Sequence, residues 1–181
     1  MLNDDMKSFI SLALKEDLGS GDVTSESSVP ADLAQKGFIL AKENGVVAGV
    51  EVAREVFYQV NSEMRFTAKI NDGSSVKFGD VVIELEGLAR DILTGERLAL
   101  NFMQRMSGIA TRTSEVVKIL EGTPTRVLDT RKTTPGLRAF EKQAVVMGGG
   151  VNHRMGLYDM ILLKDNHVDY AGSMTTAIDK V

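Results

Sequence analysis

TRVLDTRKTTPGLRAFEKQAVVMGGGVNHRMGLYDMILLKDNH, residues 125 to 167, decides how the chain is read. TRVLDT has the short pattern of a strand. FEKQAVVMGG reads as a helix that stops at glycines. LYDMILLKDNH reads as a second strand, whose MILL run is apolar on both faces, as in a buried parallel sheet. SMTTAIDKV then starts another helix. Strand, helix, strand, helix is the rhythm of a parallel α/β unit.

The pattern upstream is different. Residues 5–17 place Met6, Phe9, Ile10, Leu12, Ala13 and Leu14 at mostly helical spacing, ended by Gly19-Ser20-Gly21. The stretch 22–36 is rich in Ser and Thr and reads as a loop. FILAKE and GVVAGV read as strands about a turn at Glu43-Asn44-Gly45, and 51–60 reads as a helix. RFTAKI alternates, and NDGSSVKFGDVVIELEG has the turns of a small β-rich domain. From 92 to 120 the spacing is helical, and Gly95 and Gly108 are expected to break it into pieces. A boundary near 105–120 divides the chain into an N-terminal domain, 1–110, and a second domain, 111–181.

Composition narrows the chemistry. The 181 residues suit one large domain or two small ones, and a hydrophobic fraction of 43% supports a core. No Cys is present, which excludes disulfides, thiol catalysis and a Cys-built zinc site. Two histidines, His153 and His167, are too few to build a His-based metal site, and no residue is assigned as a metal ligand. MLNDDMKSF lacks a signal-peptide start, and no run reaches the roughly 20 apolar residues of a membrane span, so a cytoplasmic protein is expected.

The net charge of −4 is unevenly spread: residues 100–165 hold ten Lys or Arg against six acids. There is no basic run and no Trp, and little aromatic interleaving, so nucleic acid is not expected as partner. A small polyanion fits better. Thr130, Arg131 and Lys132 follow the first expected strand, and Lys164 follows the second. Gly148-Gly149-Gly150 leads to His153 and Arg154. In an α/β barrel, ligands sit at such strand ends. Arg offers a planar fork for carboxylate or phosphate, and Lys a compact charge. A lone Lys or Arg in a loop is ordinarily just solvated. The glycines serve equally as a helix cap, with no nucleotide-binding spacing.

Four stretches, ALKEDLGSGDVTS, LTGERLALNFMQRMSGIAT, LDTRKTTPGLR and NHRMGLYDMILLKDNH, together resemble the quinolinate phosphoribosyltransferase family. The resemblance covers essentially the whole chain. It implies an α/β protein with an N-terminal α/β sandwich domain followed by an α/β barrel, here incomplete. It implies an enzyme that joins quinolinate to phosphoribosyl pyrophosphate, giving nicotinate mononucleotide, carbon dioxide and pyrophosphate in de novo NAD synthesis. Mg²⁺ would accompany the pyrophosphate donor, and two chains would form a homodimer with shared active sites. By motif, substrate would be bound by Arg105, Thr130, Arg131, Lys132, Arg138, His153, Arg154 and Lys164. Lys132, His153 and Lys164 are the expected catalytic groups, and Arg105 would reach into the partner's site.

A barrel takes about 200 residues or more, and only 76 follow Arg105. The family's later strands, its acidic ligands for ribose and metal, and its phosphate loop are expected to fall outside this sequence. Two other readings stand beside this one. A sister group associated with molybdenum transport shares the motifs and would act on another anionic acceptor. DGSSVKFGDVVIELEG also has the turn-and-strand pattern of a lipoyl or biotinyl carrier, although Lys69 and Lys77 do not sit at a hairpin tip.

Overall fold

Asn3 opens the first helix by accepting the Met6 amide at 2.9 Å, which satisfies one of the free N–H groups of the first turn. The computed structural model describes residues 2–181. Met1, the first residue of the expected N-terminal domain, lies outside them. Helix α1 runs Asp4–Leu18 and buries Met6, Ile10 and Leu14, one residue per turn.

The stretch expected to be a loop, 22–36, is not one. It contains a short helix, α2 (Val23–Ser28), and the start of strand β1 (Ala34–Leu40). Asp22 supplies the cap: its carboxylate accepts the Ser25 amide at 3.0 Å. Ser and Thr disguised this helix in the sequence, because they favour caps and turns.

Strand β2 is Gly45–Val46, and helix α3 (Val50–Val60) follows. Gly49 precedes α3 with a φ of 94°, a left-handed conformation that favours glycine. The first amides of α3, at Val50 and Glu51, donate to the Asp72 carboxylate at 2.8 and 3.2 Å. Strands β3 (Arg65–Ala68), β4 (Ser75–Val76) and β5 (Val81–Leu88) complete the β structure. The main sheet is antiparallel with β5 central, in the order β1-β5-β3, and β2 pairs with β4. Ile83 faces Ile39 on one side and Ala68 on the other.

Helix α4 spans Ala89–Ile119 without interruption. The expected breaks at Gly95 and Gly108 do not occur, and the expected domain boundary lies inside a continuous helix. Gly95 is there for approach: a Cβ would stand 2.7 Å from the Phe57 ring. It lets α4 close on α3. Ser107 and Thr111 fasten the same helix to the sheet region, their hydroxyls accepting the Ala48 and Val46 amides, each at 2.9 Å.

Beyond α4 lie α5 (Arg138–Met147), α6 (Asp165–Ala171) and α7 (Met174–Asp179). Here the sequence reading needs correcting. Neither TRVLDT nor the MILL run forms a strand. One parallel bridge, Leu128 to Val151, is the sole trace of the expected sheet among the described residues. A parallel strand needs a hydrogen-bonded neighbour, and Met160, Ile161 and Leu162 have none and stand exposed. The α/β class holds. In the N-terminal part α3 and α4 pack with the strands and α1 packs on those two helices, and the second part is a partial barrel.

Candidate active site

Asp129 is the centre from which the site is built. Its amide donates to Val151 O at 3.1 Å, which joins the 127–132 segment to the 151–154 loop. Its side chain is almost fully buried and forms an ion pair with Lys142 of α5, which is 1% exposed. Asp129 Oδ1 also accepts the His153 amide at 2.8 Å, while Lys142 Nζ donates to His153 O at 3.0 Å. Asn152, with its amide nitrogen turned toward the pair, donates to Asp129 Oδ2 at 2.6 Å and to Lys142 O at 2.9 Å. Nearly every polar atom of this buried cluster is satisfied, as burial requires.

Around this centre the structure gathers Thr130, Arg131, Lys132, His153 and Arg154. Thr130 accepts the Lys132 amide at 3.1 Å, and the Lys132 side chain is exposed. Arg131 is half-buried. Its Nε is the one buried side-chain nitrogen or oxygen among the described residues that finds no hydrogen-bond partner. Such a donor costs about 1–3 kcal/mol if left unpaired. His153 Nδ1 accepts the Arg154 amide at 2.7 Å. That fixes the tautomer: the proton sits on Nε2, which can donate to a ligand oxygen. Arg154 is buried and donates to Met160 O at 3.1 Å.

The other three expected residues are placed differently. Arg138, at the start of α5, donates to Thr133 Oγ1 at 3.1 Å and to Met155 O at 3.2 Å, so it clamps two loops. Arg105 of α4 gives its guanidinium to Glu141 and to Thr134 within its own chain. Lys164 is exposed at the start of α6, and its amide donates to His167 Nδ1 at 3.0 Å. No hydrogen bond or ion pair among the described residues joins Lys164 to the other cations.

The sequence reading passed over three acid and base partners: Asp129, Glu141 and Lys142. A signal was available. Glu141 and Lys142 sit in a helix that buries Phe140 and Ala144, and both are buried with them. Charges on such a helix need partners from other elements. Burial raises the Glu141 carboxyl, but hydrogen bonds from Arg105 and Thr134 outweigh it and hold the group below its ordinary value.

A cleft of about 810 Å³ lies elsewhere, between the β1–β2 segment and α4. None of the eight expected site residues lines it. Thr130, Arg131, Lys132, His153 and Arg154 lie instead on the two segments that Asp129 ties together. Among the described residues no three carboxylates or imidazoles come together to hold a metal ion, and no helix is long and apolar enough to cross a membrane.

Comparison with known proteins gives a consistent result. A family model described as the N-terminal domain of quinolinate phosphoribosyl transferase matches residues 22–107. The C-terminal domain of the same family matches 109–181. The chain is 46% identical over 178 residues to quinolinate phosphoribosyltransferase [decarboxylating] 1b of Nicotiana tabacum, covering 98% of this chain and 50% of that protein. It is 43% identical to the probable nicotinate-nucleotide pyrophosphorylase [carboxylating] of Bacillus subtilis, covering 97% of this chain and 60% of that one. The crystal structure of NadC from Streptococcus pyogenes superposes with a TM-score of 0.95 at 42% identity, over 99% of this chain and 64% of that one. The chain thus spans about half the length of the curated plant relatives it matches.

Proposed function

The chain belongs to the quinolinate phosphoribosyltransferase family, and from that premise we propose that it acts in the transfer of a phosphoribosyl group to quinolinate. Phosphoribosyl pyrophosphate is the donor, and the products are nicotinate mononucleotide, carbon dioxide and pyrophosphate, in de novo NAD synthesis. The family match favours this over a carrier module, and over a homologue tied to molybdenum transport.

The observation that carries the reading is the buried Nε of Arg131, a donor with no acceptor in the protein. It stands beside Lys132 and within the cluster that holds His153 and Arg154. A carboxylate is the natural partner for a guanidinium there. Quinolinate brings two. Arg131 and Lys132 take one carboxylate, and His153 Nε2 with Arg154 takes the other.

Electrostatics then do the chemistry. Ribosyl transfer builds positive charge on the sugar while pyrophosphate leaves with negative charge. Cations in this region, Lys132 and Lys164 among them, stabilise that separation. Ribosylation leaves the ring nitrogen cationic, which stabilises the carbanion formed when the adjacent carboxylate departs. No covalent nucleophile is needed, and positioning suffices. Mg²⁺ in this reading enters with the donor's phosphates and is assigned no step.

In this reading two chains pair head to tail and share their sites, in the cytoplasm. Arg105 would reach its partner's site only after releasing Glu141.

Lys132→Ala tests the assignment. Calorimetry is expected to show quinolinate binding abolished, with the melting temperature almost unchanged, because the side chain is exposed. A large fall in melting temperature with binding intact would make the residue structural.

A further inference from the structure

This inference rests on the quinolinate reading and deepens it. We propose that Lys142, acting through Asp129, is a positioning residue that sets the preference for a dicarboxylate over a monocarboxylate. Lys142 belongs to none of the substrate contacts. It lies under them, 1% exposed, where a cation is costly to keep. A buried pair is often no more stabilising than apolar residues of the same size, so stability is a weak reason for its presence.

Its geometry gives a better reason. The pair grips both backbone polar atoms of His153: Asp129 Oδ1 accepts the amide, and Lys142 Nζ donates to the carbonyl. Asp129 immediately precedes Thr130-Arg131-Lys132, and His153 immediately precedes Arg154. The spacing between the two cation groups is therefore fixed at this point. The Leu128–Val151 bridge and the Arg138 clamp from Thr133 to Met155 also tie the two segments, but only the pair holds His153 itself. Asn152 adds a third tie to the same carboxylate.

A ligand with two carboxylates needs both cation groups at a set distance. A ligand with one needs only one group. Loosening the pair should remove the advantage of the second carboxylate and leave the first intact. Selectivity, rather than binding as such, is what Lys142 governs.

Calorimetry on the full chain with quinolinate and with nicotinate, alongside thermal melts, tests this. Three proteins are compared: wild type, Lys142→Met, and Asp129→Asn/Lys142→Met. Wild type is expected to prefer quinolinate by roughly tenfold or more, the scale of one charge-assisted hydrogen bond. Lys142→Met should melt lower, because the buried Asp129 is left charged without its counter-ion, and should bind the two ligands about equally. The double variant removes the stranded charge and should melt close to wild type, yet still show no preference.

A double variant that regains both stability and preference overturns the proposal, since the pair is then structural only. Equal weakening of both ligands in Lys142→Met also overturns it. A wild type that prefers quinolinate, with variants that keep the preference, sinks this inference alone. A wild type with no preference sinks the functional reading and this inference together.

Discussion

The chain before residue 120 and the chain after it are held together by different forces. All the buried apolar residues except Phe140, Ala144 and Ala177 lie in the first region. There, α3 and α4 pack with the strands, α1 packs on both helices, and Phe57, Ile83 and Met106 are essentially sealed from solvent. The second region leaves Leu157, Tyr158 and Tyr170 between 74% and 90% exposed. Its order comes from charges and hydrogen bonds: Lys142 to Asp129, Arg105 to Glu141, Arg154 to Met160. Helix α5 joins the two, with Phe140 packed 4.9 Å from Phe102 and 5.7 Å from Phe9, centroid to centroid. The difference shows a rigid apolar base carrying polar-tethered loops, which is where binding residues are commonly placed.

If that division is right, damage to the base should cost the most stability and leave ligand selectivity alone. Phe57→Ala empties a site that is 1% exposed. It should lower unfolding free energy by about 3–5 kcal/mol, read by urea denaturation, with the quinolinate-to-nicotinate preference unchanged under native conditions. A lost preference would mean that the two regions are coupled more tightly than their packing indicates.

Glu141→Gln sharpens the comparison from the other side. Burial raises this carboxyl and the Arg105 and Thr134 hydrogen bonds more than offset it, so its folded value is depressed. A depressed carboxyl contributes stability that is present above the ordinary carboxylate range. That contribution is lost as pH falls through the lowered value. Wild type should therefore show an acid limb in melting temperature that Glu141→Gln flattens. At neutral pH the variant should lose on the order of 1 kcal/mol, a figure held down by the exposure of Arg105. An unaltered acid limb would place the tether elsewhere.

The smallest effect belongs to the exposed Arg112–Glu115 pair, whose side chains are 80% and 51% exposed. Arg112→Ala should shift stability by less than about 0.5 kcal/mol, measured in the same denaturation series. A larger loss would show that surface charge matters to the base as well.

Legibility in the sequence follows the same division. Helices α1 and α3 could be read from periodicity, because each buries one face in an apolar core, and strand β5 from the turns that precede it. Gly95 misled because its role is close approach to Phe57, a tertiary fact invisible to local propensity. Helix α2 was hidden by Ser and Thr, although Asp22 three residues before Ser25 was a usable cap signal. In the second region, TRVLDT and MILLKD have strand composition, but a strand is a property of a pair. The cations Arg131, Lys132 and Arg154, with His153 beside them, were legible as a group. Among their supports, Glu141 and Lys142 could be noticed as charges on a helix with an apolar face, but their pairing with Arg105 and Asp129 could not, since partnership across 11 to 36 positions leaves no local pattern.

Amide hydrogen exchange with and without quinolinate tests the central claim, that a dianion is held by the polar-tethered loops on an independent apolar base. Amides in 127–132 and 151–154 should exchange more slowly with quinolinate and much less so with nicotinate. Those of α3 and β5 should not change. Slowing confined to α3, β5 and α4, or no slowing anywhere at saturating quinolinate, would contradict the account.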